Sequence, residues 1–164
     1  MINTKRFFPE NRFRHCHNVG LKMYQYAKIK LNWEESRCQD MYMLGTLHDI
    51  GYELNPDPFL HDVALYNVIG SSGYKYAEEI RNHSIYQDTY DTPEMRLLYF
   101  ADMTVDGAGN WCTVAERLED IELRHGKDSE VYAESQKIAD KLIEWGFDDE
   151  LPCSMFVSKI NEGK

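Results

Sequence analysis

Apolar residues recur along this chain at intervals of three and four and nowhere alternate for long, which is the signature of helices rather than strands. From about Asn11 to Lys30, the positions Cys16, Gly20, Met23 and Ala27 mark one face of a first helix. Asn32 and Glu35 form an N-cap pair for a second, whose stripe runs through Met41, Leu44, Gly45 and His48 and which Gly51 stops. Pro56 and Pro58 predict a loop over 53–60. A short helix follows from His61 to Ile69, broken by Gly70 and Gly73, and another runs from about Lys75 to Asn82. Thr92, Pro93 and Glu94 are a strong helix start, with a capping hydroxyl, proline at the first helical position and then an acid. That helix carries Met95, Leu98, Asp102 and Val105 along one stripe, and the 107–110 segment ends it. Two longer amphipathic helices are expected at about 112–125 and 129–145. The pattern predicts an all-α fold, a compact bundle of short and medium helices.

Composition narrows the picture. A length of 164 residues suits one domain with one core, spanning 1–164. The formal net charge of −10 disfavours duplex nucleic acid, whose phosphates need a basic surface. It leaves room for a small phosphorylated substrate, because a bound divalent cation would invert the local field. Cys16, Cys38, Cys112 and Cys153 are scattered, without zinc-knuckle spacing, and read as reduced thiols of a cytoplasmic protein. The opening residues Met1–Pro9 lack the apolar region of a secretory signal, and no stretch approaches about 18 apolar residues, so no membrane partner is expected.

Candidate chemistry lies before residue 103. Five of the six histidines, His15, His17, His48, His61 and His83, precede Asp102, itself on an apolar stripe. A carboxylate there is costly unless it is paired or metal-bound. His15 sits four residues before Val19, His61 shares a face with Leu65 and Val68, His83 follows Tyr76 and Ile80, and Asp102 follows Leu98. His48 ends its stripe with Asp49 directly behind it, and at a fraying helix end both can aim into one cleft. Inward-facing imidazoles and carboxylates from several helices are how bundles build sites for first-row divalent metals. A satisfied core histidine is the alternative for any one of them taken alone.

The same residues resemble a known family. Arg12-Phe13-Arg14-His15, with Val19 four further on, is similar to the R-x-x-H-x-x-x-V opening of HD-superfamily phosphohydrolases. His48-Asp49-Ile50-Gly51 resembles their central histidine–aspartate motif. His61 with Ala64 and Leu65, Ile80 with His83 and Ser84, and Leu97-Leu98 with Ala101-Asp102 resemble the three later motifs, in family order. The resemblance covers about 12–105 and leaves the helices at about 112–146 as scaffold.

The resemblance implies that His15, His48, Asp49 and Asp102 hold a divalent metal, Mn, Fe, Co, Ni or Mg. His61 and His83 would hold a second, with Asp49 shared, so one or two ions bind per chain. His48 and Asp49 would then sit at the heart of catalysis, with a metal-activated water attacking phosphorus. The implied activity is hydrolysis of a nucleotide or other small phosphate ester. A dinucleoside-polyphosphate hydrolase and a non-catalytic metal- or ligand-binding module are the alternatives, and homo-oligomerisation stays open. Tyr52 stands where several branches carry lysine, and Ser84 replaces a second histidine of the cyclic-dinucleotide branch, which argues against that activity. Lys75 and Arg81 are the candidates for binding substrate phosphate. His17 is set aside by the Arg12-to-His15 spacing, and His125, near a helix C-terminus, reads as structural. Gly107 to Gly109 follows no strand and is no phosphate loop, and the acidic runs Glu34–Glu35, Glu78–Glu79 and Asp148–Glu150 read as solvated.

Overall fold

A computed structural model describes residues 9–147; Cys153, Met1 to Phe8 and the acidic run at 148–150 lie outside the described residues. The architecture is all-α. In chain order the α-helices are α1 (Glu10–Ile29), α2 (Glu35–Leu47), α3 (His61–Ile69), α4 (Ala77–Arg81), α5 (Pro93–Asp102), α6 (Val114–His125) and α7 (Glu130–Glu144). Short 3-10 turns at Ile50–Glu53 and Gly70–Ser72 join α2 to α3 and α3 to α4. Among the described residues the only β-type pairing is the isolated bridge between Val105 and Trp111. No helix among the described residues is long and apolar enough to cross a membrane.

The first two helices form an antiparallel pair, and small residues set how closely they approach. A Cβ on Gly45 would lie 2.5 Å from the Cα of Gly20, and one on Gly20 would lie 2.5 Å from the Tyr42 carbonyl oxygen. This close crossing places His15, near the start of α1, beside His48, at the end of α2. Asn32 does not cap α2. It adopts φ 53°, and Trp33 and Leu31 donate to the carbonyls of Ala27 and Tyr26 at 3.0 and 3.2 Å, so Asn32 closes the turn out of α1 instead. The α2 N-cap is Glu34, with no side-chain bond.

Helix α5 is the centre of the bundle. Met95, Leu97, Leu98, Tyr99, Phe100 and Ala101 are all buried, a burial on every face that marks an interior helix. It contacts α1, α2 and α7. Each of Leu97, Leu98 and Phe100 contributes about 1.5–3 kcal/mol through burial. Thr92 caps it as its sequence predicts, accepting from the Met95 amide at 3.0 Å. Thr113 and Glu116 form a reciprocal capping box on α6, and Ser129 caps α7. Val68, expected to face inward from α3, is 60% exposed. Cys16 and Cys38 are buried and Cys112 is half-buried, all three as free thiols.

Candidate metal centre

Six side chains from five separated places in the chain meet in one cleft. His15 comes from the second turn of α1, His48 and Asp49 from the turn after α2, His61 from the first residue of α3, His83 from just beyond α4, and Asp102 from the last residue of α5. The turn at Gly51 makes the meeting of Asp49 with α3 possible. A Cβ there would lie 1.9 Å from the His61 carbonyl oxygen, so only glycine lets the start of α3 come this close.

The four imidazoles are oriented alike. His15 Nδ1 is 2.9 Å from the Asp106 carbonyl oxygen and His48 Nδ1 is 2.6 Å from that of Gly45. His61 Nδ1 is 3.3 Å from the Asp57 oxygen and His83 Nδ1 is 2.5 Å from that of Ile80. A carbonyl only accepts, so each Nδ1 carries a proton and each Nε2 is turned towards the carboxylates, where it can donate to them or, once deprotonated, ligate a cation. Backbone pinning of one ring nitrogen is the usual means of presenting the other to a metal. His17, by contrast, bonds Tyr42 at 2.9 Å and stays outside the cluster.

Two pockets of donor atoms share Asp49. Its Oδ2 lies 3.5 Å from His48 Nε2 and 3.8 Å from His15 Nε2. Those two nitrogens are in turn 3.7 and 3.0 Å from Asp102 Oδ1. Its Oδ1 lies 3.1 Å from His61 Nε2 and 3.3 Å from His83 Nε2, and these nitrogens are 3.1 Å apart. Ligands bonded at about 2.1 Å to one ion with angles near 90–110° stand about 3.0–3.4 Å from each other, so the second spacing suits a divalent ion directly and the first, at 3.0–3.8 Å, does so with angles opened to about 130°. His48 Nε2 is buried and has no hydrogen-bond partner, and its side chain is 0% exposed. A buried ring nitrogen without a hydrogen-bond partner, set beside the Asp49 and Asp102 carboxylates, suits a cation site, and the His/Asp groups His15–His48–Asp102 and His48–Asp49–His83 could each hold a metal ion.

The electrostatics agree. Burial alone would raise the Asp49 carboxyl, but the charge of His48 and hydrogen bonds from His61 and His83 hold it well below the ordinary carboxylate range. Asp102 is likewise opposed by burial and held well below that range by His15 and His48. Its place at the C-terminal end of α5, where the helix dipole disfavours an anion, makes a cation beside it more valuable still. Burial would lower His48, yet Asp49 and Asp102 push it up to about 9.

Around this centre Tyr52 stacks on the His61 ring, with centroids 3.8 Å apart, and the Arg12 guanidinium covers the other face at 3.6 Å. Arg12 Nη1 is 3.8 Å from Asp49 Oδ2. The sequence-derived phosphate binders are elsewhere. Lys75 lies over Tyr76 and 3.9 Å from Asp40, and Arg81 lies over Tyr66 and 3.8 Å from Glu78. Neither lines the cleft: α4 turns Ala77 and Ile80 inward and Arg81 out, and Lys75 lies exposed in the turn ahead of α4. The cleft is lined instead by Arg12, Arg117, Arg124 and His125. Helices α6 and α7 are therefore a wall of the cleft as well as scaffold, and His125 belongs to that wall. The missed signal is the spacing of Arg117, Ile121 and Arg124, which puts two arginines on the side of α6 that carries buried Ile121.

No family model matches this chain, and no curated protein or solved structure does. The case for the centre rests on its own side chains.

Proposed function

We propose that this chain is a metal-dependent phosphohydrolase of the HD type, acting on a nucleotide or another small phosphate ester. The observation that supports it is the common orientation of His15, His48, His61 and His83, each pinned through Nδ1 and each offering Nε2 to Asp49 or Asp102. His15, His48, Asp49 and Asp102 would hold one divalent cation, and His61 and His83, with Asp49, would hold a second. Such a cation supplies Lewis acidity towards phosphoryl oxygens and lowers the pKa of a water.

The residues nearby do the rest. Asp49 and Asp102 stay ionised and orient what binds between them. Arg12, braced by Tyr52, offers its guanidinium to a phosphoryl oxygen at the edge of Asp49. Protein nucleophiles are disfavoured. Burial and the Asp49 charge push the Cys16 thiol far up, and Ser84 Oγ, in the cleft wall, has no hydrogen-bonded base. A cavity of about 240 Å³ is large enough for the phosphate end of a small ester.

The test is a hydrolysis panel of mononucleotides, sugar phosphates and dinucleoside polyphosphates with Mn²⁺, Co²⁺, Ni²⁺, Fe²⁺ and Mg²⁺, run on the wild type and on Asp49→Ala. The expected result is turnover of a small ester that Asp49→Ala abolishes together with metal retention, with the helical circular dichroism intact. Bound metal without turnover of any substrate would make the protein a binding module, and preference for a dinucleoside polyphosphate would replace the substrate class.

A further inference from the structure

The wall opposite Asp49 is a charged cluster on α6 with its own internal architecture. Arg117 is only 9% exposed; its Nη1 donates to Asp120 Oδ2 at 2.8 Å and its Nη2 is 3.6 Å from Asp102 Oδ1. Its Nε is buried and has no hydrogen-bond partner. Arg124 Nη2 donates to the same Asp120 oxygen at 2.9 Å, and the Gly107 amide donates to it at 3.0 Å. The Arg124 guanidinium lies flat enough on Gly107 that a Cβ there would come within 2.9 Å of its Cζ. One carboxylate thus fastens two guanidiniums into the cleft wall, an arrangement that fixes forks which would otherwise swing freely in solvent.

Charge balance says what these forks are for. Arg12, Arg117 and Arg124 offset Asp49, Asp102 and Asp120, so the cleft as a whole carries the charge of whatever cation its histidines hold. His125, also in the wall, is kept neutral, because burial and the neighbouring Arg124 and Arg117 lower it from its ordinary value. In a chain with formal charge −10, one divalent ion would leave the cleft doubly positive and two would leave it more so, and either favours a dianion over a monoanion. A phosphate monoester near neutral pH is a dianion; a diester carries a single charge.

We propose that Arg117 and Arg124, both positioned by Asp120, form a phosphoryl clamp that selects a terminal, dianionic phosphate group and holds it against Asp102. Resting on the phosphohydrolase reading, the clamp makes the substrate a phosphomonoester. Arg117, beside Asp102, takes an oxygen of the reacting phosphoryl group, and Arg124, at the mouth, holds a second oxygen.

Calorimetric titration of inorganic phosphate, and separately of dimethyl phosphate as the monoanion, into the full chain tests the clamp without any turnover. The metal-loaded and metal-stripped forms are both titrated, for the wild type, Arg124→Ala and Arg117→Lys. Arg124→Ala is expected to weaken phosphate roughly tenfold, and Arg117→Lys, which keeps the charge and loses the fork, at least as much, as for one lost charge-assisted bond each. Metal content and helicity should not change, and dimethyl phosphate should bind the loaded wild type at least about tenfold more weakly than phosphate. Equal phosphate affinity in the wild type and Arg124→Ala, equal affinity of the two anions, or no phosphate binding by the wild type would overturn the proposal. If Arg117→Lys fails to fold, Arg124→Ala decides alone, since its side chain is 43% exposed and carries little of the core. Arginine-dependent phosphate binding by a chain that retains no metal would leave the clamp standing and remove the phosphohydrolase reading, so the two fail separately.

Discussion

Gly51→Ala should remove the half of the centre that depends on α3 while leaving the other half in place. The added Cβ would sit 1.9 Å from the His61 carbonyl oxygen and 2.7 Å from its carbonyl carbon. Bringing that oxygen contact out to 3.0 Å requires a retreat of about 1.1 Å, and the contact is with backbone, so no side-chain rotation relieves it. His61 is the first residue of α3 and moves with it. Metal sites tolerate about ±0.2 Å in ligand distance, so a shift several times larger takes His61 out of reach of an ion held by Asp49 and His83. The three atoms nearest the new methyl group belong to His61 and Leu65, so His15, His48 and Asp102 should keep their ion. The overpacking costs about 1–3 kcal/mol, offset by about 0.4–1 kcal/mol from the narrower unfolded ensemble. The net of about 0–2.6 kcal/mol lowers Tm by at most about 10 °C for a domain of this size, leaving the protein folded at room temperature. Metal analysis after dialysis, metal titration of the stripped protein and a thermal melt read the three quantities. The expected outcome is loss of the weaker ion, retention of the tighter one and a small fall in Tm. Two ions bound with wild-type affinities would refute the reasoning, because they would mean that α3 does not position a ligand.

Two further outcomes follow from the packing. Leu98→Ala, at a fully buried position of the central helix, should cost about 2–5 kcal/mol in denaturant unfolding, and a loss under 1 kcal/mol would mean that α5 is not interior. Asp120→Asn should lower stability at neutral pH by about 1–2 kcal/mol and do so in a pH-dependent way. Burial opposes ionisation of Asp120, but the Gly107 amide, Arg124 and Arg117 outweigh it and hold its carboxyl below the ordinary value. A depressed folded pKa stabilises above the unfolded value of about 3.9 and is lost as pH falls through the folded one, so the gap in Tm between wild type and variant should stay constant from pH 7 to about 5 and close below about 4. A gap unchanged at pH 3 would show that the Asp120 charge is not what fastens the arginines.

Local order along the chain was legible from residue types, because helical periodicity and capping act over a few residues. The Thr92 cap, the His61–Ile69 helix and the burial of Leu98 follow from spacing alone. So does the inward placement of His15, His48, His61 and His83, since each shares a stripe with apolar neighbours and is buried in the structure. Asn32 misleads because two uses of asparagine, capping a helix and turning out of one, look the same in a sequence; its φ of 53° chooses the second. What periodicity cannot say is which element covers a given stripe. Arg117 and Arg124 read as ordinary helical charges until α6 folds back beside Asp102, and Lys75 and Arg81 read as neighbours of the site until the fold pairs them with Asp40 and Glu78 outside the cleft. Distances between residues 87 and 91 positions apart, such as His15 to Asp102 and to the Asp106 carbonyl, come only from the packing of helices against α5. The chain's residue types thus determined the all-α class and the histidines and aspartates available to a metal, because those depend on side-chain chemistry and local spacing. Tertiary structure alone decided the shared orientation of the rings, the closeness that Gly51 permits, and the arginine wall, because these depend on contacts between elements that no local pattern encodes.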